Sequence, residues 1–257
     1  PLFWDPAFLE HNVHLPRFHR DIPSRFAVLP RRGDTSQIRW FEADPTYVLH
    51  FPNAFEDGDE IVLDGFYQGD PEPADDGAGT KWQRAFRFLA LDRMQARLHR
   101  WRFNLRTGAV REEQLTDTIS EFGMINPVHA GRSYRYAYAA TAIPGWFLFD
   151  GLVRHDLQTG AEEAFAFGEG VYGSETAMAP RPGGNAEDDG YLVTLTTDMT
   201  ADASFCLVFD AARVGDGPVC TIALPERISS GTHSTWVAGA ELRRWRDTDT
   251  AAAAIGL

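Results

Sequence analysis

The feature that most constrains this chain is its spacing. Runs of three to eight apolar or alternating residues recur from one end to the other. They fall at 25–29, 47–51, 61–63, 85–91, 98–105, 134–139, 146–149, 191–197, 205–209 and 219–224, with Gly, Pro, Asp and Asn between them. β-Branched and aromatic residues fill the runs, which suits pleated strands, and the separators suit turns. Only 7–11 and 92–97 have weak helical character, and both are too short to matter as helices. The fold is predicted to be all-β.

A repeat sharpens this. FNLRTGAV (103–110) and HDLQTGAE (155–162) share a strand end, an Asx residue (Asn104 or Asp156), Leu, and Thr-Gly. A looser copy, FDAARVGDG (209–217), places Asp210 at the same point. In each, the Asx side chain folds back on its own backbone and a glycine supplies positive φ, the chemistry of a hairpin. The period of roughly 50 residues is that of a four-stranded propeller blade, so the chain has room for about five. An ordinary β-sandwich with three similar turns stays open on pattern alone. GDPEPADDGAG (69–79) and RPGGNAEDDG (181–190) bury no apolar surface and are expected to be exposed loops. The strand rhythm resumes on both sides of each, so 1–257 reads as one domain.

Net charge is −13, with 37 acidic against 24 basic residues, which argues against a nucleic-acid partner. No run approaches the roughly 18–20 apolar residues of a membrane span, and no signal peptide opens the chain. A cytoplasmic protein is expected, with Cys206 and Cys220 as free thiols. The opening PLFWD, without Met, reads like the middle of a longer protein.

Eight histidines are available for chemistry. His11, His14 and His19 lie among arginines without a zinc-ligand spacing and read as surface or loop residues. His99 alternates with Arg100 and Arg102 and is expected on a solvent face, His155 in a turn, and His129 in a loop. His50 differs: it interrupts the apolar run in PTYVLHFPNAFEDGDE, where a bare imidazole costs a few kcal/mol without a partner. His233, in GTHSTWV, sits between a glycine and Trp-Val. Glu121 (ISEFGMINP) and Glu175 (VYGSETAMAP) stand in apolar or uncharged settings, where a glutamate needs water or a partner. A hydrogen-bonded core imidazole is the plain reading of either histidine. A metal-bound imidazole whose outer N–H meets a glutamate is the functional one. No HExxH, GxSxG, Walker or Cys-x-x-Cys motif occurs, so proteases, serine hydrolases, NTPases and zinc ribbons have no support.

The segments 21–33, 45–65, 119–127, 131–140, 152–160, 187–198, 210–228 and 230–237, in this order, resemble the carotenoid cleavage oxygenase family, which includes apocarotenoid oxygenases and lignostilbene dioxygenases. The resemblance implies a seven-bladed β-propeller, with this chain covering about the last four to five blades. It implies Fe(II) held by four histidines, three of which are oriented by three glutamates behind them. His50 falls on the Pro-x-Tyr-x-x-His-x-x-Asn-Ala-x-Glu segment, and His233 on the last ligand position. Glu121 and Glu175 match two of the outer glutamates, Glu121 expected to serve His50 and Glu175 to serve His233. The implied reaction is cleavage of a carotenoid or apocarotenoid C=C bond with O2 to two carbonyl products. It needs no nucleophile or general base. Phe51, Phe55, Phe122 and Trp236 are candidates to line an apolar substrate tunnel.

The departures are specific. The first two family histidines have no counterpart, so the resemblance makes this chain the C-terminal portion of the enzyme, with the N-terminal half as its partner. Gly-Phe-His-Gly appears as Gly231-Thr232-His233-Ser234, and Phe-Val-Pro-Arg after the glutamate as Ala177-Met178-Ala179-Pro180-Arg181. The alternatives are a stilbene-cleaving dioxygenase of the same family, or a metal-free propeller fragment acting as an interaction module. Peripheral membrane contact is implied by the family, although no contiguous apolar run here marks it.

Overall fold

The computed structural model describes residues 1–4, 6–12, 16–69, 71, 79–80, 95–144, 148–229 and 232–254, with 247–254 as backbone only. The expected strand at 85–91, the residues 146–147 and His14 lie outside the described residues. β1 (Leu2–Trp4) pairs antiparallel with β2 (Pro16–Phe18) across the short helix α1 (Pro6–Leu9). β3 (Ser24–Val28) and β4 (Arg39–Ala43) form a hairpin.

Three four-stranded antiparallel units follow. The first is β5 (Asn53–Asp57), β6 (Glu60–Tyr67), β7 (Arg97–Asn104) and β8 (Val110–Gln114), hydrogen-bonded in that order. The second is β9 (Ser120–Met124), β10 (Tyr136–Ala142), β11 (Phe149–Asp156) and β12 (Ala161–Ala166). β13 (Val171–Gly173) bridges onward, pairing with β11 and with β15 of the third unit. That unit is β14 (Ala177–Pro180), β15 (Gly190–Asp198), β16 (Ala203–Asp210) and β17 (Pro218–Ala223). The fold is all-β, as expected, in blade-sized units.

The repeat marks the same place in each unit, the turn from third to fourth strand. Asn104 Oδ1 accepts from the backbone N–H of Arg106 and Thr107 at 3.0 and 2.8 Å. Asp156 Oδ1 accepts from Gln158 and Thr159, and Asp210 Oδ1 from Ala212. Gly108 and Gly160 close the first two turns at φ +78° and +73°, a conformation glycine adopts without a Cβ clash.

Alternation along the strands builds the core. Val62, Leu98, Val153 and Ala139 are fully buried between the first and second units. Leu152, Leu192 and Phe209 do the same for the second and third, at about 1.5–3 kcal/mol per large side chain. The β3–β4 hairpin docks Phe26 and Phe41 on Trp101 and Phe103 of β7. Polar ties reinforce the joints. Asp64, fully buried on β6, accepts from Arg100 Nε and Nη2 at 2.8 Å each and from the Tyr134 hydroxyl at 2.5 Å.

Several expectations shift. The segment 47–51 is not a strand: only Tyr47 makes a bridge, to Gln68, and the strand begins at Asn53. Pro52 explains the delay, because it lacks the N–H a ladder needs. Within 92–97, the described part holds no helix, and Arg97 opens β7. A helix unforeseen in the sequence, α2 (Gly239–Ala254), ends the described chain. The loop 181–190 is exposed only to Ala186. Beyond that, Glu187 Oε1 accepts from the N–H groups of Arg135 and Tyr136 at 2.7 Å, and Arg154 donates to Asp188 at 2.6 Å. His99 is buried on β7, and His155 on β11 is 1% exposed, so neither the solvent-face nor the turn reading holds. Cys206 and Cys220 are free. Among the described residues no helix is long and apolar enough to cross a membrane.

Candidate metal centre

The candidate residues gather at the edge strands that open the three units. His50 lies just before β5, Glu121 on β9, Glu175 just before β14, and His233 in the segment after β17. The covalent neighbours hold each in place. The His50 carbonyl accepts from Phe66 N–H at 3.2 Å, tying the segment to β6. Three residues on, Asn53 grips the loop before β10: its Nδ2 donates to the Arg132 carbonyl and its Oδ1 accepts from Gly131, both at 2.9 Å.

Each histidine meets one glutamate through Nδ1. For His50 and Glu121 Oε2 the distance is 2.5 Å, and for His233 and Glu175 Oε2 it is 3.2 Å. A carboxylate beside Nδ1 selects the tautomer with the proton there and leaves the Nε2 lone pair free. The two rings stand 5.8 Å apart edge to face, and one ligand-type atom from each of His50, Glu175 and His233 lies within 4.8 Å of the others. Glu175 also takes the Ser234 N–H at 2.7 Å, while Ser234 Oγ donates to the Glu175 carbonyl at 2.9 Å. Ser234 thus fastens the His233 segment to the third unit. In the sequence it stood out only as a departure from the family pattern.

The pairs differ in setting. The Glu121 side chain is 5% exposed and that of His233 76%. The hydrogen bond to Glu121 raises the His50 pKa above its ordinary value, with partial burial pulling the other way. Burial, then the charge of Glu121, raises that of Tyr47. Glu121 Oε1 is buried with no hydrogen-bond partner among the described residues. A buried carboxylate with one oxygen unpaired is stabilised by nearby positive charge. A divalent ion on the far side of His50 would supply it, so these residues fit a cation held by neutral imidazoles.

The pocket candidates separate. Phe51 and Trp236 are 47% and 49% exposed, and the Phe51 ring stands over Gly65 of β6, 6.3 Å from Trp101. Phe55 is core. Phe122 is 3% exposed and lies beneath His50, its ring centroid 4.7 Å from the imidazole and 4.8 Å from Phe149, so it does not line an open wall. Its φ of 55° is left-handed, which costs a bulky residue about 1–2 kcal/mol.

An all-β chain of blade-sized units, with two His–Glu pairs converging at their edges, is the build of a carotenoid cleavage oxygenase. The family model described as "Retinal pigment epithelial membrane protein" matches residues 1–238, and the chain belongs to that family. It is 32% identical over 259 residues to the carotenoid 9,10(9',10')-cleavage dioxygenase 1 of Pisum sativum, covering 95% of this chain and 47% of that protein. It is 31% identical to the apocarotenoid-15,15'-oxygenase of Synechocystis, covering 86% of this chain and 44% of that one. The crystal structure of Pseudomonas brassicacearum lignostilbene dioxygenase superposes with a TM-score of 0.80 at 27% identity, over 93% of this chain and 52% of that one. The chain spans about half the length of the curated relatives it matches.

Proposed function

We propose that this chain is the C-terminal portion of a non-heme iron(II) dioxygenase that cleaves a C=C bond of a carotenoid or apocarotenoid to give two carbonyl products. The observation that carries the reading is the convergence of His50–Glu121 and His233–Glu175 from segments far apart in sequence. The names of the pea and Synechocystis relatives support the substrate class.

In this reading His50 and His233 bind the ion through Nε2. Glu121 and Glu175 hold Nδ1 as a donor, raise the basicity of each ring and offset the charge that neutral ligands leave on the metal. Iron(II) bound there supplies the activation of O2 for splitting a conjugated double bond. The reaction asks for no general base, and Oε2 of each glutamate is engaged by its histidine and by a backbone N–H. Phe51, next to His50 in sequence, and Trp236, three residues after His233, offer exposed apolar surface to a polyene. The N-terminal portion of the enzyme, as partner, contributes the remaining two histidines.

The test is elemental analysis after anaerobic Fe(II) loading. About one iron per chain is expected, and none in His50→Ala. A folded wild-type chain that holds no iron sinks the reading for this chain by itself. With the full-length enzyme, an apocarotenoid and a hydroxystilbene are offered in parallel, and carbonyl fragments from the first are expected. Fragments from the stilbene alone would favour the second reading, which the likeness to the Pseudomonas lignostilbene dioxygenase supports.

A further inference from the structure

We infer that Phe122 is the positioning residue of His50: a bulge in β9 turns it and Glu121, two consecutive side chains, onto one imidazole. The inference rests on reading His50 as a ligand.

Neighbouring residues of a strand point to opposite faces, so Glu121 and Phe122 should not both touch His50. They do, because the pairing of β9 with β10 slips. Met124 pairs with Tyr138 and Glu121 with Ala140, which leaves Phe122 and Gly123 opposite Ala139 alone. An extra residue of this kind re-aims side chains. The left-handed φ of Phe122 makes the turn. The other non-glycine residues with positive φ among those described are Asn12 and Asp202, short polar types that tolerate it. A buried phenylalanine does so only where its surroundings hold it.

Three contacts hold it. The Phe122 N–H donates to Glu121 Oε2 at 2.6 Å, the oxygen that also faces His50 Nδ1 at 2.5 Å, so two donors pin one carboxylate oxygen. The Phe122 ring is wedged between His50 and Phe149 of β11. At the next residue β9 is pressed against the first unit: a Cβ on Gly123 would lie 2.2 Å from the Phe66 ring. The strand has no room to relax the bulge. The wedge therefore fixes the tilt of the imidazole, and the pinned carboxylate fixes its rotation.

The test pairs Phe122→Gly, which keeps the left-handed turn and removes the ring, with Phe122→Leu, which keeps apolar bulk. The metal-free readout is the low-field NMR signal of the His50 Nδ1 proton in histidine-labelled chain. The second readout is Co(II) affinity from its visible absorption. In Phe122→Gly the proton signal is expected to broaden into exchange with water and Co(II) affinity to fall about tenfold, with the circular dichroism melt still cooperative. Phe122→Leu is expected to restore the signal and bring affinity to within about threefold of wild type. A sharp, unshifted signal and unchanged affinity in Phe122→Gly would overturn the inference. So would a folded Phe122→Leu chain lacking the signal. If Phe122→Gly does not fold, Phe122→Leu decides by the same signal. A wild-type chain that takes up no Co(II) overturns the metal reading alone, and the His50 proton still decides the role of Phe122.

Discussion

His50 beside Glu121 and His99 beside Glu112 are the same two residue types, with ring nitrogen to carboxylate distances of 2.5 and 3.3 Å. Both rings pack on aromatics: His50 on Phe122, His99 between Tyr67 and Trp101 at 4.9 and 4.6 Å. The difference lies in what each glutamate is already doing. Glu112 accepts from Trp101 Nε1 at 3.0 Å and from the Asp44 N–H at 2.9 Å, and His99 Nε2 makes no hydrogen bond with it. Its carboxylate fastens the β3–β4 hairpin to the first unit, and His99 is filler in that joint. Glu121 spends one oxygen on His50 and on the backbone beside it, and a ring nitrogen of His50 lies within 4.8 Å of ligand-type atoms of Glu175 and His233. A histidine near a glutamate is thus no sign of a site. What sets His50 apart is a second histidine and a further glutamate within reach of the same ion.

The sharpest way to break this contrast is metal binding. His50→Ala is expected to lower Co(II) or Fe(II) affinity at least a hundredfold, and Glu121→Gln by about 10–100-fold. His99→Ala and Glu112→Gln should leave it within about twofold. Anaerobic titration followed by absorption measures all four. Equal losses at His50 and His99 would mean that both act only through the fold.

Stability should reverse the ranking. Truncating the buried His99 to alanine opens a hole between Tyr67 and Trp101 and is expected to cost about 2–4 kcal/mol. His99→Phe, which keeps the bulk and removes an unsatisfied nitrogen, should cost less than about 1 kcal/mol. His50→Ala in the metal-free chain should cost about 1–2 kcal/mol, since it removes a partly exposed ring but leaves Glu121 without its partner. Urea unfolding of the three variants decides. A His50→Ala loss larger than that of His99→Ala would make His50 a structural residue first.

Much of this was legible in the sequence, for identifiable reasons. The turns Asn104–Gly108 and Asp156–Gly160 are local, so residue type and spacing specify them. His50 and Glu121 are legible through a motif, because the chemistry ties their types to fixed neighbours such as Asn53. The setting of His99 is not legible because alternation with charged neighbours signals exposure only on a strand with one wet face, and that of His155 because β11 runs on through Asp156, so the turn in HDLQTG starts only at Leu157. β7 and β11 are inner strands covered on both sides. The bulge at Phe122 was illegible, since nothing in ISEFGMINP marks a slip in register. It depends on β10 opposite and on Phe66 behind. Helix α2 was hidden because GAELRRWRDTDTAAAA has no apolar stripe to announce it.

The smallest expected effect is the most diagnostic, because its sign differs between the two histidines. Burial pushes His99 below its ordinary pKa, more than Glu112, Glu113 and Asp44 pull it up. The folded chain therefore favours the neutral ring, and the unfolded chain takes the proton first as pH falls. The stability His99 contributes is present above its unfolded pKa of about 6.5 and is lost as pH drops through the folded value. His50 is raised, first by its hydrogen bond to Glu121 and then by the charges of Glu121 and Glu175. Its contribution in the metal-free chain is present below about pH 6.5 and is lost as pH rises through its folded value. Subtracting the unfolding free energies of His99→Phe and His50→Phe from wild type, between about pH 5 and 8, cancels the titrating groups that are not coupled to either histidine. The His99 difference should shrink toward the acid end and the His50 difference toward the alkaline end. Slopes of the same sign would show that Glu121 does not hold the His50 proton, and the tautomer on which the metal reading depends would lose its support.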